Sequence, residues 1–202
     1  FVRAGALASE EDKARIAEIN QRLSSLAAAF SQKLLSEEET ACVMVDNPAA
    51  LEGMAPDFIA SLRMDDGRYR IANTRSVVDP VLKGARDRAL RKRVFLMFSS
   101  RGDNEGANNT HATIAETLSL RRERSRLLGF SSYAAWALDD TMARTPEAAN
   151  GLLERVWPLA RAAALRDLAD LERLAGHPLE AWDVSYYSER LRKERFDFDD
   201  AA

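Results

Sequence analysis

The chain has 202 residues, 46% hydrophobic and 30% charged, a balance that supports a packed core and excludes disorder as the main state. No run approaches the roughly 18 apolar residues of a membrane span, and a net charge of −3 argues against a nucleic-acid partner. The single cysteine, Cys42, forbids an internal disulfide, and two histidines, His111 and His177, exclude any site that needs three.

The first element is a long helix. Ile16, Ile19, Leu23, Leu26, Phe30 and Leu34 recur at spacings of three and four, and Ser9 with Asp12 reads as a capping-box-like start. Glu10 and Glu11 suit the positive end of its dipole. The pattern predicts a helix from Glu10 to Leu35, about 39 Å long. Ala41–Val45 is a short apolar run with β-branched residues and reads as a strand. Asn47-Pro48 and Pro56 start two short helices, the second ending near Arg63. Asp66-Gly67 marks a turn, after which Tyr69 and Ile71 alternate with Arg68 and Arg70 as in a half-buried strand. The two strands are expected to pair as a ribbon, which must lie on helices to be stable.

From Asp87 the chain reads as almost wholly helical. Leu90, Val94, Met97 and Phe98 form a core face, and 99–109 is a polar loop. A helix over 110–128 is closed by Gly129, and Ser131 or Ser132 caps a short helix carrying Tyr133 and Trp136. Thr145-Pro146-Glu147 starts a helix that runs to Ala175, with Leu152, Val156, Leu159 and Ala163 on one side. Pro158 is expected to kink it, and Gly176 and Pro178 to stop it. A last helix begins near Asp183 and holds Tyr186, Tyr187 and Leu191. The fold class is mainly α, a multi-helical bundle-like domain with a small β ribbon.

Candidate chemistry is sparse. No His-Glu-x-x-His motif occurs, and Glu116 lies five residues after His111, off its helical face. His177, in a Gly-His-Pro turn, reads as solvent-facing. Cys42 in an apolar strand reads as an inert thiol. Ser99 and Ser100 have no histidine near them in sequence, and no nucleophile elbow is present. The loop Arg101-Gly102-Asp103-Asn104-Glu105-Gly106 carries two acids that would repel phosphate. Arg121, Arg122, Arg124 and Arg126 read as a solvated helix face with local ion pairs, or as contacts to absent parts of the same protein. Tyr186 and Tyr187 point about 100° apart, so one packs while the other reaches a cleft; core packing of both is the plainer reading. No catalytic, metal or substrate-binding residue is assigned.

Four strings, in order, carry a resemblance. They are Glu18-Ile19-Asn20-x-x-Leu23-x-x-Leu26-x-x-x-Phe30-Ser31-x-x-Leu34-Leu35; the stretch from Arg91 through Ser99-Ser100-Arg101-Gly102, Asn109 and Leu118-x-Leu120-Arg121 to Leu127-Leu128-Gly129-Phe130-x-x-Tyr133-Ala134; Met142-Ala143; and Trp182-Asp183-x-x-Tyr186-Tyr187. Together they resemble the zinc metallopeptidase family of thimet oligopeptidase, oligopeptidase A and peptidyl-dipeptidase (dipeptidyl carboxypeptidase), the bacterial peptidyl-dipeptidase branch above all. The resemblance implies a parent enzyme that hydrolyses short peptides in a deep channel between two largely helical halves. Its zinc would sit on a His-Glu-x-x-His helix C-terminal to the matched region, with a downstream Glu as third protein ligand. Zinc would activate a water there, and the motif Glu would be the base.

On this reading residues 1–202 are a partial, helical N-terminal-half domain with both ends cut, forming one wall of a neurolysin-like peptidase channel. The chain alone is expected to be inactive and to bind no zinc. Its partners would be short peptides in the parent, the missing catalytic half and, through bared surfaces, itself; nucleic acid and membrane are not expected. The cytoplasm is the expected compartment, with the periplasm as the alternative. The rival readings are a stand-alone helical binding or scaffold module and an inactive paralogue that keeps only the scaffold.

Overall fold

The computed structural model describes residues 1–196; the acidic end at 197–202 lies outside them. The described residues form eight α-helices and one two-stranded antiparallel ribbon: α1 (Glu10–Thr40), β1 (Cys42–Val45), α2 (Pro56–Ser61), β2 (Tyr69–Ala72), α3 (Arg75–Gly84), α4 (Arg88–Ser99), α5 (His111–Leu127), α6 (Tyr133–Leu138), α7 (Pro146–Ala175) and α8 (Ala181–Phe196). The expected mainly helical class with a small ribbon is the one observed. Among the described residues no helix is long and apolar enough to cross a membrane. The chain divides into two compact units, Phe1–Lys33 with Glu105–Ala163, and Leu34–Asn104 with the residues from Ala164 onward.

In the first unit, α1 begins as its sequence requires. The Asp12 amide donates to Ser9 Oγ at 3.1 Å, and the Ser9 hydroxyl donates to the Asp12 carboxylate at 2.8 Å. Ile16, Ile19 and Leu26 are buried, the stripe read from their spacing. Three contacts tie α1 to α5 and the residues before it in antiparallel order: Arg15 to Glu123 at 2.6 Å, Arg22 to Glu116 at 2.5 Å, and Lys33 Nζ to the Asn109 carbonyl at 2.6 Å. Gly129, at φ +83°, ends the α5 segment, and Ser132 Oγ caps α6 by accepting from Ala135 N–H at 3.1 Å. Thr145 Oγ1 accepts from Ala148 N–H at 3.1 Å and starts α7, which continues through Pro158.

The second unit holds the main hydrophobic core. Val43 and Val45 of β1, Leu51, Ile71 of β2, Val78, Val81 and Leu82 of α3, and Leu90 and Val94 of α4 meet there. β1 and β2 pair with Val43 opposite Ile71, and the ribbon lies on α3 and α4 as a marginal ribbon must. Asn47 Oδ1 accepts from Ala49 N–H at 3.0 Å and caps a 3₁₀ turn at Pro48–Leu51.

Two departures from the sequence reading concern helix extent. First, α1 runs to Thr40, past the expected end at Leu35. Its apolar stripe stops, but Glu37 and Glu38 of the added turn are held by the loop after α4. The Gly102 amide donates to Glu37 at 2.7 Å, Asn104 Nδ2 also donates to Glu37, and Arg101 pairs with Glu38. Second, α3 has no counterpart in the periodicity reading. Its Val77-Val78 pair and internal Pro80 are poor helix formers. Burial decides: Val78 and Val81 are wholly removed from solvent, a gain of roughly 1.5–3 kcal/mol per side chain.

Candidate functional site

The second unit contains a buried ionic node. Asp183 sits in the first turn of α8, where its carboxylate accepts from the Glu180 N–H at 3.2 Å, the reciprocal arm of a capping box. Two arginines of α4 converge on the same carboxylate. Arg88 donates through Nη2 at 2.7 Å and Nε at 3.0 Å, and Arg91 donates through Nη2 at 2.8 Å. The Asp183 side chain is fully buried and that of Arg91 is 2% exposed. Arg91 also donates to the carbonyls of Ala85 and Arg86, at 2.9 and 3.1 Å, and so ties down the chain that leaves α3. The face of Tyr186 covers its guanidinium at 4.2 Å. Burial pushes the Asp183 carboxyl up, but hydrogen bonds from Arg88 and Arg91 outweigh it and hold the group down at about 2. One carboxylate thus joins α8, α4 and the end of α3.

The first unit carries a groove of about 710 Å³ between α1 and α5. Leu23, Ala27 and Phe30 line it from α1, and Ile114 and Leu118 from α5. Where Asn20 accepts from Arg124 at 2.7 Å, the lining turns polar with Arg121 and Tyr133. The arginine cluster is thereby divided. Arg121 lies 4.9 Å over Tyr133 and Arg124 lies 4.8 Å over Trp136, whereas Arg122 and Arg126 are exposed. Glu123, which lies among these arginines, pairs with Arg15 of α1. A second groove of about 660 Å³, in the second unit, has Gly53, Phe58, Lys83, Arg86, Tyr186, Glu189 and Arg190 in its wall.

The remaining candidates are engaged locally. His111 is exposed at the start of α5, where its N–H donates to Asn109 Oδ1 at 3.0 Å. His177, read as solvent-facing, is half-buried: its ring packs edge-on against Tyr187 at 5.8 Å, and its Nδ1 lies 2.7 Å from the Pro178 carbonyl. Tyr186 is buried, with its hydroxyl accepting from Arg190 at 3.0 Å, and Tyr187 is half-buried beside it. Both tyrosines therefore pack, the plainer of the two readings. Ser99 and Ser100 turn their hydroxyls back on the α4 carbonyls of Leu96 and Met97. Cys42 is a half-buried free thiol opposite Ala72. In the 101–106 loop, the Gly102 amide that a phosphate would need is occupied by Glu37.

Among the described residues no group of three or more His, Cys, Asp or Glu could hold a metal ion. The described residues therefore do not fit a catalytic zinc. The sequence reading missed the Asp183 node, although Asp183 lies in a string it singled out. The one local signal was a carboxylate three residues after a helix-capping position.

Comparison with known proteins adds the frame for these features. The family model described as Peptidase family M3 matches residues 81–202. Dipeptidyl carboxypeptidase of Escherichia coli (strain K12) is 34% identical over 212 residues, covering 100% of this chain and 31% of that protein. Probable cytosolic oligopeptidase A of Arabidopsis thaliana is 29% identical, covering 96% of this chain and 30% of that protein. Oligopeptidase A of Escherichia coli (strain K12) is 27% identical, with 95% and 30% covered. The chain thus spans 31% or less of the length of these relatives.

Proposed function

Because this chain belongs to peptidase family M3, we propose that it is an interior, N-terminal-half segment of a zinc-dependent oligopeptidase or peptidyl-dipeptidase that hydrolyses short peptides. Its role is channel wall and scaffold. The observation that carries this reading is an alignment that takes in 100% of this chain and only 31% of a dipeptidyl carboxypeptidase. The zinc ligands and the catalytic base belong to the part of the parent outside these 202 residues, and no step of hydrolysis is assigned to a residue here.

The segment contributes rigidity. The Asp183 node fixes α8 against α4 and the end of α3, while the exposed α1–α5 ion pairs follow the antiparallel register of those helices and add little stability. A wall of this kind selects substrates by size, because a narrow channel admits unfolded peptides and excludes folded proteins. The cytoplasm is the compartment this reading takes, on the evidence of a single, unpaired cysteine.

The test is to read the gene past the codon for Ala202. An in-frame His-Glu-x-x-His with a downstream Glu is expected. A stop codon at that point would overturn the peptidase reading. Chelator-sensitive peptide hydrolysis by the purified 202-residue chain would overturn the division of labour.

A further inference from the structure

The middle of α7 is bare. All eleven residues of 152–162 are exposed, a span of about 16 Å. Leu152 is 55% exposed, Leu153 63%, Val156 54%, Trp157 66% and Leu159 76%. At 100° per residue these five side chains fall within one arc of about 160° that also takes in Ala160 and Ala163. Glu154, Arg155 and Arg161 lie outside that arc. Among the described residues, no side chain of 152–162 takes part in a hydrogen bond or an ion pair. A helix with Pro158 in its interior and a broad apolar arc in water has little reason to persist unless that arc is covered. Single exposed leucines need no explanation, but a contiguous patch that includes a tryptophan marks an interface.

We infer that this face, Leu152, Leu153, Val156, Trp157 and Leu159, is the seat of an intramolecular interface with the part of the parent polypeptide outside these 202 residues. The inference rests on the proposed parent enzyme. Its occupant is an apolar surface of the same polypeptide, and the length of the relatives selects it over a second copy. Relatives matched along the whole chain are about three times as long, the chain covering 31% of them, so most of their polypeptide is available to cover α7.

The test is hydroxyl-radical footprinting with mass spectrometry on the whole natural gene product and on the 202-residue chain. Oxidation of Trp157 and Leu153 is expected to be at least about fivefold slower in the whole protein. Equal rates would overturn the inference. So would protection in the 202-residue chain that rises with its concentration and accompanies dimers in ultracentrifugation, because the occupant would then be a second copy. Peptide hydrolysis is measured on the same whole protein. Hydrolysis with unprotected α7 defeats the interface and leaves the peptidase reading standing; protected α7 without hydrolysis does the reverse.

Discussion

Replacing Asp183 by Asn tests the node that holds the second unit together. The substitution keeps the size of the side chain and an acceptor for the Glu180 N–H, so the cap survives while the charge is lost. Two independent magnitudes bear on the cost. The native carboxyl is held at about 2 against an ordinary 3.8, and at 1.36 kcal/mol per unit this corresponds to about 2 kcal/mol of linked stability. Removing one partner of a buried pair costs about 3–5 kcal/mol, because Arg91 remains buried without its counter-ion. A loss of about 2–4 kcal/mol is expected. The assay is urea denaturation of the 202-residue chain at pH 7, followed by far-UV circular dichroism. The pH dependence supplies a second check. The folded carboxyl lies below its unfolded value, so its contribution is full above about 4 and is lost as pH falls through about 2. The gap between the native chain and the Asp183→Asn variant should therefore be constant from pH 7 to 5 and close between about 4 and 2. A cost below about 1 kcal/mol at pH 7, or a gap that persists at pH 2, would refute the reasoning. Joint replacement Arg91→Met with Asp183→Leu should cost less than the two single changes added together, because neither charge is then stranded.

Three further outcomes are expected. Gly53→Ala should lose about 3 kcal/mol in the same denaturation assay, since Gly53 has φ +97° and an added Cβ would stand 2.5 Å from the Gly84 carbonyl oxygen. Glu37→Ala should cost about 1–3 kcal/mol by stranding the Gly102 amide, and should speed hydrogen exchange at that amide. By contrast Arg22→Ala should leave the urea midpoint within experimental error despite a 2.5 Å contact with Glu116, because both side chains are about half exposed.

Elements whose cause is local were legible in the sequence. The start of α1, the Asn47 and Ser132 caps and the Thr145-Pro146 start of α7 each depend on residues within three positions of one another. What was not legible depends on distance along the chain. The last turn of α1 is held by a loop 65 residues away. The Asp183 carboxylate meets arginines 95 and 92 residues distant, and nothing in the string Trp182-Asp183 selects them from the other arginines. Helix α3 was hidden for a different reason. Its valines and Pro80 oppose a helix locally, and only the apolar floor beneath Val78 and Val81 overrides them. The α7 stripe was read correctly as apolar, but period alone cannot tell a covered face from a bare one.

Hydrogen bonds from arginines dominate the electrostatics of the described carboxylates. Every carboxylate with a resolved shift moves downward: Asp66, Glu116, Glu123, Asp170, Asp183 and Glu189. In all six the lowering comes chiefly from a hydrogen bond to an arginine. A carboxyl that must carry a proton near neutral pH needs the opposite, a raised value produced by burial or by a neighbouring anion. Asp183 is instructive because its burial does push upward, as in a general acid, and two arginines reverse it. Replacing those arginines, not the aspartate, would be the route by which such a site could acquire a protonated carboxyl. In the native chain they stay, and the carboxylate is committed to holding α8 in place.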